Sequence, residues 1–220
     1  MKPLCKILIV MICGLMTGCN IYFPQVVDLP MLEQQGDLRL DASADIFVVG
    51  GRATATYAVT NHFGIQASGI LSTLGWASQG AAGFYTTRGH QIYEIYAGVS
   101  GGESSRSGIF NMRTWGDFNT YFLQADYGWT RLANNHIDLG FGLKSGYIEG
   151  TYWVQRDDNL PNHYPQSSLF IEPTLTFRVG WQHLKFTLGA GMSFMPISNQ
   201  LGLEEMISIS LGINYFFNLK

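Results

Sequence analysis

The sequence predicts an all-β protein: an antiparallel, up-and-down transmembrane β-barrel of about ten strands, with eight as the alternative count. Three observations predict it. Apolar and polar residues alternate with a period of two from Gly36 almost to the C-terminus, and no helical period competes over a comparable length. One face of this pattern is almost wholly apolar and carries large aromatics, while the other is rich in Gly, Ser and Thr. A soluble barrel would hide the first face and show the second to water, whereas a membrane barrel does the reverse. Finally, charged residues are 13% of the 220-residue chain, aromatics are 14% and glycines number 26, a composition that suits an outer-membrane barrel.

The leader sets the compartment. Lys2 and Lys6 precede a short apolar core from Ile7 to Met16. About 10 apolar residues are too few to span a bilayer as a helix but fit a secretory signal. The leader ends Leu15-Met16-Thr17-Gly18-Cys19, which resembles a bacterial lipobox with cleavage after Gly18 and lipid on Cys19. Met16 stands where leucine is more usual, and an ordinary signal peptide followed by a chance cysteine is the alternative. The other two cysteines, Cys5 and Cys13, lie in the leader, so the mature chain keeps one thiol and can form no internal disulfide. Three segments are expected: a signal peptide over 1–18, a lipidated periplasmic tether over 19–35, and a barrel over 36–220. The tether contains Pro24 and Pro30 and no alternation.

Strands are expected near 36–47, 50–60, 63–73, 80–87, 90–101, 117–131, 136–149, 168–180, 184–195 and 206–217. In the first, Leu38, Leu40, Ala42, Ala44 and Ile46 oppose Arg39, Asp41, Ser43 and Asp45. The 80–87 strand has the weakest pattern, and parity supports it. Membrane barrels pair short periplasmic turns with longer outer loops. Ten strands starting from the periplasm put the long connections 102–116, 150–167 and 196–205 outside and both termini in the periplasm.

The predicted registers point Arg39, Arg52, Lys144 and Arg178 inward, together with Asp41, Asp45, Glu94, Asp126 and Glu172. The two signs nearly balance. A conducting selectivity ring favours one sign, so the expectation is charges paired across a closed or narrow lumen. Trp76, Trp129, Tyr147, Trp153, Trp181 and Tyr215 gather near strand ends, where amphipathic rings suit membrane interfaces. Generic strand filling would also account for them.

Short patterns across the mature chain resemble the lipid-anchored outer-membrane β-barrel proteins of bacteroidetes. They are Tyr22-Phe23-Pro24, Leu29-Pro30-Met31-Leu32-Glu33-Gln34-Gln35-Gly36, the stretch YAVTNHFG at 57–64, Phe122-Leu123-Gln124, and Phe170-Ile171-Glu172-Pro173. The resemblance implies a barrel in the outer membrane and brings no activity to particular residues. A lipocalin-like soluble lipoprotein binding an apolar ligand is the alternative architecture.

Candidate chemistry is sparse. Loop 150–167 and its border hold Asp157, Asp158, His163 and Ser168, an acid, a base and a nucleophile, as an outer-rim hydrolase or acyltransferase would need. Sequence spacing does not bring them within hydrogen-bond reach, and the reading is non-enzymatic. Loop 102–116 carries Ile109, Phe110, Met112 and Trp115 among arginines, a mixture suited, with loop 150–167, to an envelope protein or a glycan; the alternative is that 102–116 folds back over the barrel mouth or continues the strands. A weakly acidic chain with no basic patch argues against nucleic acid, and no cofactor is expected. His62, His90, His136 and His183 each fall in a tight turn, spaced round one rim, which reads as turn chemistry and not as a metal site.

Overall fold

The computed structural model describes residues 22, 26–46, 49–107, 112–156, 160–198 and 206–219. Ten antiparallel strands close into one barrel in sequential order: β1 (Asp37–Asp45), β2 (Gly50–Ala58), β3 (Phe63–Ser72), β4 (Gly75–Arg88), β5 (Gln91–Ser107), β6 (Met112–Arg131), β7 (Ile137–Arg156), β8 (Asn162–Gly180), β9 (Leu184–Ser198) and β10 (Met206–Asn218). β1 and β10 seal the seam, from Asp37 opposite Asn218 to Asp45 opposite Ser210. Closure leaves no strand edge, which a backbone in lipid requires.

The ten-strand count stands, and the eight-strand alternative falls. Both ends of the described barrel sit on the rim of the histidine turns: Gly36 donates to the Ala58 carbonyl, and Leu219 donates to the Gly36 carbonyl. The four histidines lie one per turn. Each offers its backbone carbonyl to a neighbouring strand: His62 to Tyr85, His90 to Thr130, His136 to Gly180 and His183 to Phe216. They finish ladders at the rim. One of these turns departs from ordinary hairpin chemistry: Arg131, Ala133, Asn134 and Asn135 all have positive φ, so the chain makes one left-handed turn before β7.

The outer face is a band of Leu, Ile, Val, Phe and Tyr. On β7 it runs from Ile137 to Tyr147, about 11 residues, the length a tilted strand needs to cross a bilayer. Outward charge marks its limits. Arg88 and Arg131 are exposed at the histidine rim. At the other edge Glu103, Asp117 and Glu149 are exposed on neighbouring strands, with Glu103 opposite Asp117 and Asn119 opposite Glu149.

Beyond that edge the strands continue: for 102–116 this is the alternative reading of that stretch, and for 150–167 it corrects an expected loop. Most of 102–116 is β5, to Ser107, and β6, from Met112; most of 150–167 is β7 and β8. The alternation persists there, but the outward residues have become polar because they leave the band, so the contrast that reveals a strand disappears. Ile109 and Phe110 of the expected binding loop, and most of the 196–205 connection, lie outside the described residues. β4 likewise begins at Gly75, five residues earlier than expected, where Trp76, Ser78, Gly80 and Ala82 face outward with little apolar contrast.

The expected tether needs the largest correction. Tyr22 and residues 26–32 lie inside the barrel, and residues 33–35 run along its rim, so this stretch is not a free tether. Leu29, Pro30, Met31 and Leu32 are buried. The physical reason is composition: Val26, Val27, Leu29, Met31 and Leu32 are apolar, and burying each such side chain contributes about 1.5–3 kcal/mol. All three apolar clusters inside the barrel contain segment residues: Tyr22 with Phe118, Phe122 and Phe170; Val27, Leu29 and Met31 with Ile92; and Leu32 with Ala58 and Tyr85.

Candidate functional site: the lumen clamp

An extended segment inside a barrel must satisfy its backbone polar groups without a ladder of its own. Here the lumen wall does it with side chains. The Glu94 carboxylate on β5 accepts two backbone N–H groups, from Met31 (2.8 Å) and Leu32 (2.9 Å). Arg178 on β8 donates to the Leu29 carbonyl (2.6 Å) and lies 3.5 Å from the Asp28 carboxylate. Gln124 on β6 and Gln66 on β3 both donate to the Asp28 carbonyl, at 3.0 and 3.5 Å. Thr174 accepts the Val27 N–H at 3.1 Å, and Arg52 donates to the Val26 carbonyl. Pro30 is buried and has no N–H to satisfy.

The wall also makes room. A Cβ on Gly64 would meet Leu32 Cδ1 at 2.6 Å, one on Gly140 would meet Leu29 Cδ2 at 2.6 Å, and one on Gly189 would meet Val26 Cγ1 at 2.6 Å. At these positions a larger residue would make the segment's side chain shift, and glycine lets the wall approach it as it stands. Part of the chain's high glycine content therefore serves the lumen contents as well as the strands.

Above the clamp, Tyr22 packs edge-on against Phe118 (5.4 Å between centroids) and lies 5.7 Å from Phe170. Its hydroxyl donates to Glu172 at 2.9 Å. Lys144 pairs laterally with Glu172 on the adjacent strand (4.0 Å), donates to Gln79 (2.8 Å), and sits over the Phe122 ring at 4.2 Å. Near the rim, Glu33 of the segment meets Arg131, and Lys185 pairs with Asp138 at 2.6 Å.

The nine charges expected in the lumen thus divide by partner. Glu94, Arg178 and Arg52 grip the segment directly, and Glu172 grips it through Tyr22, with Lys144 beside it. Asp126 accepts from Gln124 at 2.7 Å, Asp41 from Asn214 at 3.5 Å, and Arg39 stacks over Phe216 at 4.8 Å. Asp45 is half-buried at the last residue of β1. The expectation that these charges pair with one another across a closed or narrow lumen is corrected in its pairing: Lys144 and Glu172 pair between adjacent strands, and Glu94 and Arg178 bind the segment that lies between the walls. Sequence reasoning passed over Asp28, Glu33, Gln66 and Gln124. The available signal was the dense apolar run Val26–Leu32, which a solvated tether would not carry.

Of the candidate outer-rim chemistry, the two described groups, His163 and Ser168, face opposite sides of the wall. His163 lies on β8, exposed, with its ring 5.5 Å from that of Trp153. Ser168 faces inward and donates to the Leu169 carbonyl at 2.9 Å. Asp157 and Asp158 lie outside the described residues. Among the described residues no group of three or more His, Cys, Asp or Glu side chains converges as a metal site would require. Cys19 lies outside the described residues.

No family model and no curated protein matches the chain. Among solved structures it is similar to the outer membrane protease OmpT of Escherichia coli, at 7% identity and a TM-score of 0.58, over 84% of this chain and 94% of that one. It also aligns with neisserial surface protein A (10% identity, 83% and 98% covered, TM-score 0.43) and with the N-terminal β-barrel domain of Pseudomonas aeruginosa OprF (12% identity, 84% and 99% covered, TM-score 0.40). The likeness to OmpT is one of fold, and the lower-scoring pair adds nothing to it. The chain has the fold of a bacterial outer-membrane β-barrel.

Proposed function

We propose that the chain is a lipid-anchored outer-membrane barrel of the bacteroidete type, closed by its own N-terminal segment, with a structural or binding role in the envelope and no enzymatic one. The observation that carries this reading is the clamp. Six backbone groups between Val26 and Leu32 are held by wall side chains from five different strands. A lumen occupied in this way conducts poorly. The apolar outer band supports insertion among outer-membrane lipids. The lipobox-like LMTGC supports a thioether at Cys19. There the cysteine sulfur takes the diacylglyceryl carbon of a glycerophospholipid, loses its proton, and the phosphate-bearing headgroup departs.

Planar-bilayer recording tests the closed lumen. The mature chain is expected to show no stable conductance, and a chain lacking residues 20–35 a small, stable one. Equal, large conductance from both would overturn the reading.

A second observation favours binding at the outer end. Above the ring of outward acids, Trp115, Trp153 and His163 lie side by side on β6, β7 and β8, with the two indoles stacked at 6.4 Å and Arg113 over Trp115 at 5.7 Å. A flat aromatic row with a cation beside it fits a glycan, or an envelope protein presenting one. Trp153→Ala should weaken retention on immobilised outer-membrane glycan if this is so; unchanged retention would sink it.

A further inference from the structure

We infer that the N-terminal segment is threaded outward through its own barrel, so that Cys19 leaves by the outer mouth and its lipid lies on the outer face of the membrane. This rests on the reading of Cys19 as lipidated, and it reverses the side on which a periplasmic tether would place the anchor.

The direction follows from successive contacts. Gly36 is at the histidine rim, bonded to Ala58. Leu32 lies against Gly64, at the rim end of β3, and against Ala58 and Tyr85. Met31 and Leu29 lie over Gly140 and Gly142, one and two outward-inward repeats into β7. The Asp28 carbonyl meets Gln124, near the middle of β6. Tyr22 packs on Phe118 and Phe170, beyond the middle of the bilayer-crossing part of β6 and β8. Phe118 is directly adjacent in sequence to both Asp117 and Asn119, which sit in the outward polar edge with Glu149. The segment therefore climbs from the rim to the level where the outer apolar band ends.

Reach then decides where Cys19 can go. Phe118 and Phe170 lie about ten or more strand residues above the rim, roughly 25 Å at about 3.3 Å per residue and a tilt of about 40°. Two residues, Asn20 and Ile21, separate Cys19 from Tyr22, and the three extended steps between them cover at most about 10 Å. With the segment seated, an acyl chain on Cys19 cannot enter the periplasmic leaflet beside the rim. The outer mouth is the nearer exit: the β3–β4 turn at Ser72–Gly75 is in register with Ser104 and Gly116, just beyond Phe118. The barrel wall separates the lumen from lipid along the whole band, so the acyl chains must clear the mouth before they insert.

The test uses the full chain in cells. Asn20→Lys places an amine beside Cys19, and Lys220 at the C-terminus serves as the periplasmic reference. Intact cells are treated with a membrane-impermeant amine reagent, and labelling is read peptide by peptide by mass spectrometry, which also reports the mass on Cys19. The expected result is a diacylglyceryl mass on Cys19 and labelling of the introduced amine at least about tenfold above Lys220, with Lys220 reached only after permeabilisation. A lipidated Cys19 whose neighbouring amine is labelled only after permeabilisation overturns the threading and leaves the anchor intact. A labelled amine beside an unmodified Cys19 overturns the anchor and leaves the threading.

Discussion

Glu94 is the most informative single residue to remove. Its carboxylate holds the N–H groups of both Met31 and Leu32, and it is buried, so no bulk water waits to replace it. Hydrogen bonds to a charged acceptor contribute about 1.5–3 kcal/mol each. Glu94→Ala removes two and strands two buried donors, a loss of about 3–5 kcal/mol in docking the segment. At about 1.4 kcal/mol per tenfold, the undocked population rises on the order of 100-fold or more. Glu94→Gln keeps one acceptor oxygen and turns the other position into a donor, so it should fall between. The assay is a thiol at Val26→Cys, buried in the docked state, read at its own peptide so that Cys5, Cys13 and Cys19 do not enter the count. Its reaction with a bulky maleimide reports undocking. The expected order of rates is Glu94→Ala, then Glu94→Gln, then the parent, with the barrel still folded by its gel mobility. Equal rates in all three would refute the clamp.

Three further perturbations separate the lumen from the wall. Gly140→Leu fills the space of Leu29 and Met31, and should release the segment and open a conductance without unfolding the barrel, as seen in bilayer recording. Lys144→Met leaves Glu172 without its cation in a buried site and should cost about 3–5 kcal/mol, read as a lower unfolding temperature; adding Glu172→Gln should recover part of it. Leu123→Arg puts a charge on the exposed apolar band and should cost about 2–4 kcal/mol of folding into vesicles, while leaving maleimide protection of the docked segment unchanged.

The strands were legible because lipid outside and polar groups inside impose opposite demands on alternate residues. Ile137–Leu143, with apolar residues separated by Asp138, Gly140 and Gly142, could hardly be read otherwise. Parity then placed the histidine turns on one rim. Where the outside environment turns to water, around Glu103, Asp117 and Glu149, that opposition ends, and the strands ran on unseen. The segment was misplaced for a different reason. Val26–Leu32 has no period because its neighbours come from five strands, and those neighbours exist only once the barrel closes. Likewise Glu94 and Arg178 could be assigned to the lumen from alternation, but their partners could not, since pairing depends on what occupies the space between them.

The central claim, that residues 26–32 sit in the lumen, is tested most directly by a disulfide. The Val26 Cβ lies 3.5 Å from where a Cβ on Gly189 would stand, within the roughly 3.5–4.5 Å that a disulfide spans. Val26→Cys with Gly189→Cys, expressed as the full chain and assayed in outer membranes under mild oxidant, should form the bond nearly completely, detected as a linked peptide pair by mass spectrometry. Two free thiols, both open to a membrane-impermeant reagent while the barrel is folded, would show that the segment lies elsewhere.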